Sequence, residues 1–89
     1  MSVSKQGAEI TNRFFLAIDM LKSQKRIKSL RQITTMYNLN YGNTHMMKSN
    51  PETYILKPEL IANLSKDFGI SVEWIIFGIG NMFKTYKNC

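Results

Sequence analysis

The stretch Ser29-Leu-Arg-Gln-Ile-Thr-Thr-Met-Tyr-Asn-Leu-Asn40, followed directly by Tyr41-Gly-Asn-Thr-His-Met-Met-Lys-Ser49, decides how the chain folds. Ser29 is a good N-cap residue, its hydroxyl placed to accept from the free amides of the turn containing Arg31 and Gln32. Behind it Leu30, Ile33, Thr34 and Tyr37 share one face of a helix over 30–37. Asn38 ends that helix, being the residue that, after Gly, best takes a left-handed conformation. Asn38-Leu39-Asn40 then reads as a tight turn in which Leu39 is an apolar plug and Asn40 caps a second helix over 41–49. Asn50-Pro51 stops this one, because the residue before proline is pushed out of the helical region. Two short helices joined by so tight a turn have the proportions of a helix-turn-helix, whose second helix enters the major groove of DNA.

Working outward, the upstream segment carries Ile10, Phe14, Ala17, Ile18 and Leu21 at the spacing of one helical stripe, predicting a first helix from about 9 to 24. Phe15 and Met20 widen its apolar face, and Arg13, Lys22 and Lys25 occupy the far side. Residues 1–8 are small and polar, and are expected to be a flexible lead-in. Downstream, a loop over 51–57 leads to Pro58, well placed in the first turn of a fourth helix with Leu60, Ile61, Leu64 and Phe68 as its buried stripe. Gly69 ends it. Ser71 caps a fifth helix, terminated by Gly78 and Gly80 before Met82-Phe83, with 84–89 as a tail. The expected fold class is all-α: a five-helix domain over 9–83 with the helix-turn-helix formed by helices two and three.

Composition narrows the function. The chain has 89 residues, enough for one core, and 44% of them are hydrophobic. Twelve Lys and Arg against six Asp and Glu leave a formal charge of +6, which favours polyanionic partners. The single cysteine, Cys89, cannot build a disulfide within one chain, and a reducing, cytoplasmic setting fits. No apolar run approaches the roughly 18 residues needed to span a bilayer, and residues 1–7 lack the hydrophobic stretch of a secretory signal. A lone His45 lacks companions at metal-ligand spacing, and no paired carboxylates stand beside a base. The expectation is a non-enzymatic protein with no metal, no cofactor, no small-molecule substrate and no membrane partner.

On the third helix, Thr44 and Met47 lie together and are expected to face helix two and the core. Gly42, His45, Met46 and Ser49 then face outward, with Tyr41 and Asn43 beside them near the N-terminal end. These six are the candidate base contacts. Asn43 suits adenine, His45 a guanine or phosphate, Met46 a thymine methyl, and Gly42 lets the backbone approach. Lys28, Ser29, Arg31, Gln32 and Lys48 are the candidate phosphate contacts, with the free amides at the start of helix two alongside. A blander reading has Tyr41 and Met46 packing on a neighbouring segment and His45 as an ordinary surface residue.

Two stretches resemble the lambda-repressor-like family of Cro and CI, or XRE, type: the run from Ser29 to Asn40, and Trp74-Ile-Ile-Phe-Gly-Ile-Gly-Asn-Met-Phe83. The second is similar to the ending of many phage-repressor-like N-terminal domains and is the more specific of the two. The resemblance spans about 13–83 and implies five helices, dimeric binding to a two-fold DNA operator and a role in regulating transcription, most often repression. Departures are Leu30, where the family often has a base-contacting Gln, Thr34 in place of Ala, Asn38 in place of Gly, and Thr44 in place of Ile or Val. Each threonine is expected to bond back to a carbonyl one turn earlier.

Trp74, Ile75, Phe77, Ile79, Met82 and Phe83 carry more apolar surface than a small core needs. Part of it is a candidate homodimer interface; equally, these residues simply close the core. The chief rival function is a protein-interaction or dimerisation module on the same fold without sequence-specific DNA binding.

Overall fold

Ser4 opens the first helix by accepting a hydrogen bond from the Gly7 amide at 3.1 Å through its hydroxyl, so the polar leading turn has a cap of its own. The computed structural model describes residues 4–84. Its five helices run α1 (Lys5–Ser23), α2 (Leu30–Met36), α3 (Tyr41–Ser49), α4 (Pro58–Phe68) and α5 (Val72–Phe77). The expected lead-in over 1–8 is therefore corrected: residues 5–8 are helical, and 1–3 lie outside the described residues. Hydrophobic periodicity misplaced this boundary because the first apolar contact comes a full turn after the cap.

One face of α1 supplies Phe14, Ala17, Ile18 and Leu21 to the interior, with Phe15 edge-on to Phe14 at 5.2 Å between ring centres. The helix ends where Arg26 donates its amide to the Leu21 carbonyl at 3.0 Å and Lys25 takes the left-handed conformation at φ 62°. Ile27, Ile33, Leu60, Ile61, Leu64, Ile70 and Ile75 complete the core against it. α1 packs on α5 and α3, α2 on α3, and α4 on α5.

Arg13 corrects the sequence reading in an instructive way. Placed there on the far side of α1, it instead turns to the end of α5, donating from Nε to the Ile75 carbonyl at 2.7 Å and from Nη2 to the Ile76 carbonyl at 2.9 Å. The last carbonyls of any helix lack partners within it, and a guanidinium satisfies two at once while opposing their negative end. Gly78 completes the arrangement at φ 72°: a Cβ there would stand 3.1 Å from Arg13 Nη1.

Beyond Gly80 the chain turns back to pair with residues 69–71, the linker between α4 and α5. Ser71 donates its amide to the Met82 carbonyl and Lys84 to the Gly69 carbonyl, each at 2.8 Å, and Ile70 bridges Phe83 in antiparallel fashion. Lys84, expected to open the tail over 84–89, is thus held by a backbone bond, and 85–89 lie outside the described residues. Arg26 braces this return, bonding the Phe68 carbonyl at 3.1 Å with its guanidinium 5.8 Å from the rings of both Phe68 and Phe83.

Helix α2 stops at Met36, with Tyr37 as its C-cap rather than its last residue. The Tyr37 hydroxyl donates to Asp67 Oδ2 at 2.9 Å, tying this end to α4. Burial chiefly, and then the bond and charge of Asp67, hold the phenol's ionisation well above its ordinary value of 10.0.

Two outcomes follow from these ties. Arg13→Ala leaves two carbonyls without their donor and lowers unfolding free energy by roughly 2–3 kcal/mol in denaturant titration. Above pH 10.0 the unfolded chain's Tyr37 loses its proton while the folded one keeps it. Stability from this group is therefore complete below that pH and declines above it, so the advantage of wild type over Tyr37→Phe shrinks as pH rises past 10 in parallel melts.

Candidate nucleic-acid interface

The joint between α2 and α3 is built from residues 37–40. Asn38 sits at φ 55°, the left-handed conformation expected of it, and Leu39 donates its amide back to the Thr34 carbonyl at 2.8 Å. Leu39 is half-buried against the core. Asn40 then caps α3, its Oδ1 accepting from the Asn43 amide at 2.9 Å. A Cβ at Gly42 would lie 3.3 Å from that same oxygen, so the missing side chain leaves room for the cap.

Both threonines at the helix contact satisfy their hydroxyls as expected. Thr34 Oγ1 donates to the Arg31 carbonyl at 2.8 Å and Thr44 Oγ1 to the Asn40 carbonyl at 2.9 Å. The hydroxyls are therefore turned onto their own helices, and the methyl groups remain for packing. Thr44 is only 6% exposed and is the anchor of α3, with Met47 half-buried beside it.

Outward of that anchor, Gly42, Asn43, His45, Met46 and Ser49 are all exposed, Met46 at 47%. Tyr41 is half-buried at the start of the helix. Its ring lies 4.2 Å from the guanidinium carbon of Arg31 on α2 and 6.0 Å from the His45 ring. The six candidate base contacts thus occupy one helix, five of them on its open side.

The candidate phosphate contacts divide. Lys28, Ser29, Arg31 and Gln32 line an open hollow of about 500 Å³ at the start of α2. Thr35 and Met36 complete its wall, two residues that the candidate contacts read from the sequence did not include. Their outward placement was implicit in the stripe of Leu30, Ile33, Thr34 and Tyr37, which leaves positions 35 and 36 on the other side. Ser29 occupies the N-cap position, but its hydroxyl makes no capping bond, contrary to expectation. Gln32 closes the turn instead, its Oε1 accepting from the Lys28 amide at 2.8 Å. Lys48 stands apart from this group, with its Nζ 3.1 Å from Asp19 on α1. An exposed pair of this kind is weakly held, but among the described residues Lys48 is the one candidate cation already facing an acid.

The six candidate interface residues near the C-terminus also divide. Ile75 is fully buried, which corrects its assignment to a contact surface: it belongs to the core. Trp74, Met82 and Phe83 pack partly buried against that core. Phe77 at 65% and Ile79 at 53% exposure remain open. Among the described residues no group of three or more His, Cys, Asp or Glu could hold a metal ion, and no helix is long and apolar enough to cross a membrane.

Asn40→Ala removes the cap of α3 and costs about 1 kcal/mol of stability, with faster amide exchange concentrated in the first turn of α3. Comparison with family models, characterised proteins and solved structures gave no match in any of the three.

Proposed function

We propose that this chain binds double-stranded DNA in a sequence-specific manner as a transcriptional regulator, most simply a repressor. In this reading α2 and α3 form a helix-turn-helix of the lambda-repressor-like kind, and α3 lies in the major groove. The observation that carries it is the division of α3, with Thr44 buried and Gly42, Asn43, His45, Met46 and Ser49 exposed along one side. A short, capped helix that buries Thr44, with Met47 half-buried beside it, on one side and leaves the other to solvent suits insertion into a groove. The formal charge of +6 and the hollow at the adjoining helix, with Lys28, Ser29 and Gln32 on its wall, suit the flanking backbone.

The chain acts as a homodimer, with Phe77 and Ile79 at the contact and two copies of α3 about one DNA turn apart, roughly 34 Å. The exposure of these two residues also favours the rival reading, a protein-interaction module that does not read DNA. Duplex binding separates the two.

Fluorescence anisotropy on random duplex should show affinity falling with salt at a log–log slope of about −2 to −4, from a few cationic contacts per dimer. Lys28→Ala weakens binding to every sequence alike, whereas Asn43→Ala changes which sequences are preferred, by about 1–3 kcal/mol at one base position. Equal affinity at low salt for duplex and for an uncharged polymer would exclude DNA as the partner.

A further inference from the structure

Arg31 differs from the other two arginines in what its side chain faces. Arg13 gives its donors to the Ile75 and Ile76 carbonyls, and Arg26 bonds the Phe68 carbonyl. Arg31 instead lies with its guanidinium carbon 4.2 Å from the centre of the Tyr41 ring, well within the roughly 6 Å range of cation–π attraction. Among the described residues it makes no side-chain hydrogen bond and no ion pair. All five guanidinium donors lie in the plane of the group, so holding it through an aromatic ring restricts its orientation while leaving hydrogen-bonding edges available.

Tyr41 is half-buried at the first position of α3, directly after the Asn40 cap, and its ring lies 6.0 Å from that of His45. Arg31, Tyr41 and His45 therefore form a row at the N-terminal end of α3, with Arg31 and His45 exposed. A phosphate needs only a positive charge and tolerates many orientations; a planar fork that is already oriented suits a partner with two acceptors at fixed spacing. In the major groove that partner is the O6 and N7 edge of guanine.

We propose that Arg31 reads a guanine, instead of holding a phosphate, and that Tyr41 is the positioning residue that orients it. This rests on the DNA-binding reading above and specifies one base of the site. Because part of the ordering of a long side chain is complete before DNA arrives, less entropy is lost on contact.

The test begins by selecting wild-type-bound sequences from a random duplex pool. Wild type, Arg31→Ala, Arg31→Lys and Tyr41→Leu are then titrated with the selected duplex, with versions carrying A·T in place of each G·C pair, and with random duplex. Circular dichroism melts check that each variant folds. Arg31→Ala should lose about 10- to 100-fold discrimination at one guanine of each half-site while its affinity for random duplex changes little. Arg31→Lys loses the same discrimination with the charge retained, which keeps the test decisive if the alanine variant misfolds. Tyr41→Leu weakens preference at that same guanine although Arg31 is present. A uniform loss across all duplexes for Arg31→Ala, with recovery in Arg31→Lys, makes Arg31 a phosphate contact and overturns the assignment. A wild-type chain that selects no sequence overturns the DNA-binding reading itself, a result distinct from the first.

Discussion

The left-handed backbone of Asn38, at φ 55°, is the constraint on which the candidate site depends. It stops α2, turns Leu39 inward and brings Asn40 to the position from which its side chain caps α3. A nine-residue helix has little stability of its own in water, so its direction must come from such a joint and from whatever it buries. What α3 buries is small: Thr44, with help from Met47. The result is a helix fixed at its start and along one narrow line, with the rest of its surface left to solvent.

A second constraint ties α1 to the C-terminal half of the domain. Arg13 reaches from α1 to the end of α5, and Arg26 reaches from the end of α1 to Phe68 and Phe83. Two of the three arginines thus serve as fasteners, taking backbone carbonyls that would otherwise lack donors. Positive charge counted from composition is for that reason a poor map of a binding surface. Among the described residues Arg31, 4.2 Å from the centre of the Tyr41 ring, is the one arginine whose side chain makes no hydrogen bond or ion pair.

Much of this was legible in the sequence, and the reasons differ by element. The ends of α3 could be read because Asn40 and the Asn50-Pro51 pair are local signals that tertiary packing does not override. Its two sides could be read because Thr44 and Met47 share a helical face and the exposed residues lie away from them. Misjudged features involve groups distant in sequence or choices among equivalent local bonds. The Arg13 clasp joins residues more than 60 positions apart, and no spacing rule reveals it. Ser29 and Gln32 are both able to close the turn before α2, and only the structure assigns the bond to Gln32. The ending from Trp74 to Phe83 looked overly apolar because Trp74, Met82 and Phe83 pack partly buried against the core, the last two through a backbone pairing with 69–71 that helical periodicity does not show.

The claim at the centre is that the exposed side of α3 meets DNA bases. Its most direct test is a heteronuclear NMR titration of the labelled full chain with a duplex carrying its selected sequence, following backbone amides and side-chain resonances together. The largest shifts should cluster on residues 41–49 and on 28–32, with the Asn43 side-chain amide and the His45 ring among them. Shifts confined to Phe77, Ile79 and their neighbours, or an unchanged spectrum at saturating duplex, would contradict it.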